Sequence, residues 1–150
     1  MSLTDRMTER QHQVVAEFKQ LSSWEDRYKK LIQLGKELPD LAEEMKQEKF
    51  KVKGCQSQVW MHARLEESCI VFEADSDALL VRGLVALLLR VYSGATPEEI
   101  LTTPPDFVKE IGLESRLSPS RANGLFAMIK QMKLYAMAFH TMAQKAPTDG

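Results

Sequence analysis

One thiol sits in a segment whose residue types suit group transfer: Gly54-Cys55-Gln56-Ser57-Gln58-Val59-Trp60. Glycine reaches backbone conformations closed to residues with a Cβ, so Gly54 predicts a turn immediately before the thiol. Val59, Met61, Ala63 and Leu65 then alternate with period two, the pattern of a half-buried strand. Cys55 is therefore expected on a loop at the mouth of a strand, where another protein can reach it. Access of that kind is the first requirement for a cysteine that does chemistry rather than packing.

Two chemistries compete for such a thiol. A cysteine hydrolase or acyl transferase needs a histidine oriented toward the nucleophile and a third group behind it. His62 is the local candidate, but if Val59, Met61 and Ala63 face the core, it points outward beside Trp60. Sulfur transfer needs less, because an incoming persulfide is already activated and only a thiolate must attack its outer sulfur. Lys51 and Lys53 can favour the thiolate by charge, or simply solvate an exposed strand. The second cysteine, Cys69, falls in a strand and reads as a small buried apolar residue. Two cysteines without a C-x-x-C predict no disulfide framework, and Cys55 with Cys69 is not an expected pair. His12, His62 and His140 lie far apart and none has zinc-site spacing with a cysteine, so no metal centre is expected.

Composition narrows the function further. With 150 residues and 44% hydrophobic content, the chain suffices for one core, so one domain over 1–150 is expected. Lysine and arginine number 20 against 21 acidic residues, a net charge of -1 that offers no electrostatic footprint for nucleic acid. Met1 to Phe18 is polar and lacks the apolar stretch of a secretory signal, which predicts a cytoplasmic location. The most apolar run, Ala78 to Tyr92, is broken by Arg82 and Arg90 and falls short of the roughly 20 residues of a membrane span. It predicts a buried helix, not a membrane anchor.

The elements that must position Cys55 follow from period and capping. Thr8 with Gln11 matches a capping box ahead of Val14, Val15, Phe18 and Leu21, predicting a helix over 9–22. Ser23 caps a second helix carrying Trp24, Tyr28, Leu31, Ile32 and Leu34, with Gly35 and then Leu38-Pro39 as stop signals. Asp40 is expected to cap a short helix through Met45, and 48–53 to run extended up to Gly54. Strands are predicted over 59–65 and 69–74, joined by Glu66-Glu67-Ser68 as an antiparallel hairpin. Asp75-Ser76-Asp77 should cap a helix over 77–92 that is apolar on nearly every side and so central, closed by Gly94. Gly83 inside it costs about 1 kcal/mol against alanine and signals the close approach of another element. Thr96-Pro97-Glu98-Glu99 opens a short helix, 106–111 forms another that Gly112 ends, and Ser118-Pro119 opens a last long helix. Residues 144–150 are expected to fray. Helices, then strands, then helices, without β-α-β alternation, predict an α+β fold with helices on one face of a small antiparallel sheet.

The cysteine segment resembles the signature of the SufE family of sulfur-acceptor proteins, which work with cysteine desulfurases. The similarity spans about residues 14–139 through Trp24-Glu25-Asp26-Arg27-Tyr28, Leu31-Ile32-Gln33-Leu34-Gly35, Leu38-Pro39, Asp75-Ser76-Asp77-Ala78, Val81-Arg82-Gly83-Leu84, Thr96-Pro97-Glu98-Glu99-Ile100, and Leu117-Ser118-Pro119-Ser120-Arg121 with Gly124-Leu125. Gln56-Ser57-Gln58 favours the SufE branch over the CsdE branch. The resemblance implies the fold shared with IscU-type scaffolds. It also implies a carrier that takes persulfide sulfur from a desulfurase of the SufS type, activates that enzyme, and passes sulfur to an iron-sulfur scaffold complex of the SufBCD type. It implies no cofactor of its own, the pyridoxal phosphate belonging to the desulfurase. Cys55 would carry the sulfur and Gly54, Gln56, Ser57 and Gln58 would shape its loop. Asp75 and Ser76 would begin the helix packed near it, and Arg121 would steady a thiolate or persulfide. In the resting protein the thiol is expected to be partly sheltered, against Trp60 or the start of the long helix. A cluster scaffold would need three cysteines, which the chain lacks; a non-catalytic binding module is the other alternative.

Overall fold

The computed structural model describes residues 3–145. Helix α1 (Leu3–Lys19) starts earlier than the Thr8 capping signal suggests and stops before Leu21. The apolar stripe that holds it to the core begins a turn sooner, at the fully buried Met7, and continues through Val14, Val15 and Phe18. Helix α2 (Trp24–Glu37) begins where expected, with Ser23 Oγ accepting the Asp26 amide at 3.1 Å. It does not stop at Gly35; the chain leaves the helix at Leu38, ahead of Pro39.

Two single 3₁₀ turns, Glu43–Met45 and Glu48–Phe50, replace the short helix from Asp40 and most of the extended lead into Gly54. Asp40 caps nothing; its carboxylate lies 3.2 Å from Arg82. Only Lys51 and Val52 run beside the sheet, Lys51 bridged to Trp60 and the Val52 amide donating to Val59 O at 2.8 Å.

Strands β1 (Val59–Glu66) and β2 (Cys69–Ser76) form a two-stranded antiparallel sheet, with Met61 opposite Ala74 and Ala63 opposite Phe72. Both strands are longer than expected, so the hairpin turn shrinks to Glu67-Ser68, both residues at positive φ (50° and 73°). This is the left-handed geometry that two-residue hairpins demand, here met without glycine. The outer edge of β2 is covered by the segment after α3: the Ile70 amide donates to Ala95 O at 2.8 Å and the Gly94 amide to Ile70 O at 2.7 Å. Both edges of the sheet are thus paired by irregular chain, which blunts edge-to-edge association.

Helix α3 (Leu79–Tyr92) is the central element, burying Leu80, Val81, Leu84, Val85, Leu87, Leu88 and Val91 among others. It starts after Asp75 and Ser76, which belong to β2, and its N-cap Ala78 supplies no side-chain acceptor. Helix α4 (Pro97–Thr102) carries the complete Thr96/Glu99 capping box, and Glu99, fully buried, also pairs with Arg6 of α1. Helix α5 (Asp106–Ile111) ends on Gly112 at φ 91°, and an unforeseen short helix α6 (Leu113–Arg116) follows. Helix α7 (Pro119–Lys145) closes the fold. The frayed tail expected over 144–150 lies, past Lys145, outside the described residues. No helix among the described residues is long and apolar enough to cross a membrane.

Helices α2 and α3 cross at their glycines. A Cβ on Gly83 would collide with the carbonyl of Leu31, and one on Gly35 with the Leu79 carbonyl while lying 3.0 Å from the Gly83 nitrogen. Arg82 seals the crossing: its Nε donates to Gly35 O at 2.9 Å, Nη2 donates to Leu38 O, and Nη1 pairs with buried Asp75. Burial alone would push the Asp75 carboxyl up. The Leu41 and Ser76 amides, with Arg82 and Lys46, overcome that and hold it below its ordinary value of 3.8.

Two outcomes are expected in chemical denaturation. Gly83→Ala, which helix propensity alone would make stabilising, should cost about 3 kcal/mol because a backbone carbonyl must move. Asp75→Asn should cost about 2 kcal/mol at neutral pH. A depressed carboxyl stabilises the fold above its unfolded pKa and loses that contribution as pH falls through its folded pKa. Wild type should therefore lose stability below pH 3.8 more steeply than the variant.

Candidate functional site

The Cys55 loop is tied down at both ends. On one side Val52 is bonded to β1, and on the other Gln58 is held by Asp77, whose Oδ1 accepts the Gln58 amide at 3.0 Å. The Asp77 amide in turn donates to Gln58 O at 3.2 Å. Between these clamps Gly54 takes φ 94°, a conformation that L side chains rarely adopt, and turns Cys55 toward α7. There the thiol rests on the helix backbone, Cys55 Sγ lying 3.5 Å from the Gly124 carbonyl oxygen. A Cβ built on Gly124 would sit 3.5 Å from that sulfur.

The thiol forms part of the wall of a cavity of about 240 Å³. Its floor is apolar, from Val81 and Leu84 of α3 and Leu125 and Met128 of α7, and its rim is polar, from Gln56, Ser57, Ser118, Ser120 and Arg121. Arg121 is exposed, and its Nη1 donates to the Tyr28 hydroxyl at 3.1 Å, so α2 holds this cation at the rim. Burial pushes the half-buried Cys55 thiol above its ordinary value of 9.0. The two lysines upstream do not reverse this: Lys51 pairs with Glu48 at 3.4 Å, and Lys51 and Lys53 line a separate groove. At neutral pH the resting thiol is protonated, which restrains both attack and oxidation.

Of the residues singled out in the sequence, the fold brings Cys55, Gln56, Ser57 and Arg121 to one cavity, with Gly54 making the turn and Gln58 the clamp. Asp75 and Ser76 stand apart from that cavity: Asp75 is the anchor of Arg82, and Ser76 Oγ accepts the Ala78 amide at 3.2 Å. The helix-side partner of the loop is their neighbour Asp77. His62 stacks edge-on against Phe50 (5.3 Å, 88°) and lies 3.7 Å from Glu73, not in the cavity lining. Among the described residues the cavity therefore lacks a Cys-His pair. Trp60 is buried beneath Lys46, 5.6 Å from its ring, and the shelter of Cys55 comes from α7 instead. Cys69 is half-buried at the head of β2, and both cysteines are free. Among the described residues no cluster of histidine, cysteine and carboxylate suits a metal.

The sequence offers Tyr28 only as one of an apolar stripe and Ser118 as the start of a helix; it does not show that Ser118 lies at the rim or that Tyr28 holds the rim's Arg121.

The chain is similar to several known proteins. The family model described as SufE, Fe-S metabolism associated domain, matches residues 12–136. An uncharacterized SufE-like protein of Synechocystis sp. is 44% identical over 126 residues, covering 84% of this chain and 79% of its own. SufE-like protein 1, chloroplastic/mitochondrial, of Arabidopsis thaliana is 40% identical over 139 residues, 92% of this chain but 38% of that longer protein. The solution structure of a hypothetical protein from Thermus thermophilus superposes with a TM-score of 0.73 at 26% identity, covering 88% of this chain and 96% of that one.

Alkylation of Cys55, followed by peptide mass spectrometry across a pH series, should rise with an apparent pKa above 9.0. Unfolding in denaturant should bring the midpoint down to that of a free thiol, about 8.5.

Proposed function

The chain belongs to the SufE family, and from that premise we propose that it is a sulfur carrier for iron-sulfur cluster assembly. In this reading Cys55 takes persulfide sulfur from a cysteine desulfurase of the SufS type, activates that enzyme by relieving it of its product, and passes the sulfur to a scaffold complex of the SufBCD type. The proposed setting is the cytoplasm. The observation that carries the reading is the placing of Cys55: a lone thiol on a clamped loop, in the wall of a small cavity with a guanidinium at its rim.

The exchange balances without an added oxidant. The Cys55 thiolate attacks the outer sulfur of the donor's persulfide, a new bond forms between Cys55 Sγ and that sulfur, and the bond between the donor's two sulfurs breaks. The donor cysteine leaves as a thiolate and can take the proton that Cys55 gave up. Delivery to an acceptor thiol repeats the exchange in the opposite direction. Pyridoxal phosphate chemistry, which generates the persulfide, belongs to the partner.

The cavity accounts for both ends of this cycle. Burial keeps the idle thiol neutral, so attack requires the loop to leave Gly124 and meet solvent or a partner's charge. After transfer, the apolar floor restricts water and the rim of Arg121, Ser118 and Ser120 offers donors to a persulfide anion. In this scheme Tyr28 is a positioning residue, since its hydroxyl holds Arg121 at the rim.

Incubation with a SufS-type desulfurase and free cysteine, without reductant, should add sulfur to the Cys55 peptide and leave the Cys69 peptide unmodified. Cys55→Ser should bind the desulfurase, gain no sulfur, and no longer accelerate its turnover. An active desulfurase that leaves wild-type Cys55 unmodified, or that Cys55→Ser accelerates as well as wild type does, would sink the proposal.

A further inference from the structure

A second depression lies on the other side of the Cys55 loop. It is a groove of about 700 Å³ between the 49–54 segment and the outward face of α7, and Gly54 is part of its wall. Lys49, Lys51, Lys53 and Lys130 line it, and among the described residues no carboxylate does. Lys51 has Glu48 at 3.4 Å, an exposed ion pair of the kind that contributes little. The chain as a whole carries a net charge of -1, so the lysines are gathered here rather than spread by overall basicity. Between them α7 presents Phe126 and Leu134, 38% and 50% exposed, large apolar side chains that water does not favour.

We propose that this groove is the docking surface for an acidic amphipathic segment of the sulfur-donating desulfurase. The inference rests on the sulfur-carrier reading and deepens it by naming the recognition chemistry. Charge complementarity selects the occupant: carboxylates would meet the four lysines while apolar side chains cover Phe126 and Leu134. Position gives the groove its use. Gly54 borders the groove and Cys55 the cavity, and the two depressions share α7 as a wall. A partner seated in the groove therefore lies against the backbone turn that holds Cys55 on Gly124. A Cβ on Gly54 would lie 3.3 Å from the Ala127 Cβ, so the turn before Cys55 is packed closely on α7. Docking and release of the thiol are thereby mechanically adjacent.

The test uses full-length protein and a purified SufS-type desulfurase, with inorganic polysulfide as a donor that needs no docking. The double variant Lys49→Glu/Lys130→Glu is compared with Lys19→Glu/Lys109→Glu, which makes the same change in net charge at exposed sites away from the groove. The groove variant should bind the desulfurase at least ten-fold more weakly, with a flatter dependence on salt, while the control binds as wild type. Polysulfide should load Cys55 equally in all three. Equal desulfurase affinity for both double variants would overturn the groove while wild-type loading preserved the carrier function. A wild type that polysulfide loads but the desulfurase neither binds nor loads would overturn both. Self-association of the chain that Lys49→Glu/Lys130→Glu abolishes would give the groove to a second copy and overturn the proposal as well.

Discussion

The close crossing of α2 and α3 at Gly35 and Gly83 is the constraint on which the rest of this structure hangs. Two helices approach so nearly only where neither has a side chain, and just beyond the contact the carbonyls at the end of α2 need a donor. Arg82 supplies it, and one guanidinium spans the end of α2, the chain after it and Asp75 at the end of β2. The charge is largely buried, but Asp75 and two carbonyls satisfy it, which is the condition under which a buried ion is tolerated. Through this junction the end of the hairpin is fixed relative to the central helix. Asp77, two residues past Asp75, is thereby placed to hold Gln58 and the loop that carries Cys55.

The same helices then serve the site directly. Helix α3 supplies Val81 and Leu84 to the cavity floor on either side of the crossing, while α2 supplies Tyr28 to hold Arg121 at the rim. Helix α7 contributes the remaining wall and the Gly124 carbonyl against which the thiol rests. Structural and chemical roles therefore divide between neighbours in sequence: Asp75 and Arg82 hold the frame, Asp77 and Val81 face the loop or cavity.

Electrostatics and burial oppose each other at Cys55, and burial prevails. A lysine near a thiol favours the thiolate only when solvent does not screen it, and Lys53 is exposed while Lys51 has its own carboxylate. Desolvation by α7 acts on the sulfur itself and raises the energy of the charged form. For the proposed carrier role this arrangement is useful, because a neutral sheltered thiol resists oxidation between encounters with a donor.

Local signals in the sequence determined much of the frame. The Ser23 and Thr96/Glu99 caps, the all-apolar α3 and the Gly112 stop depend on interactions within a few residues, and each appears where its pattern predicts. The Gly54-Cys55 turn belongs to the same class. The alternation of β1 holds only in part, since Trp60 is buried and Leu65 is exposed. Signals that mislead are those that distance overrides: Gly35 is a packing glycine rather than a stop, Thr8 lies inside a helix extended by Met7 and Arg6, and Asp75 serves Arg82 instead of capping α3. Only the tertiary structure decided that Cys55 rests against the Gly124 carbonyl and that Tyr28 holds Arg121, since Tyr28 and Arg121 are 93 positions apart and Cys55 and Gly124 69. The physical reason is that desolvation and close packing are properties of neighbours in space, which local period and capping do not encode.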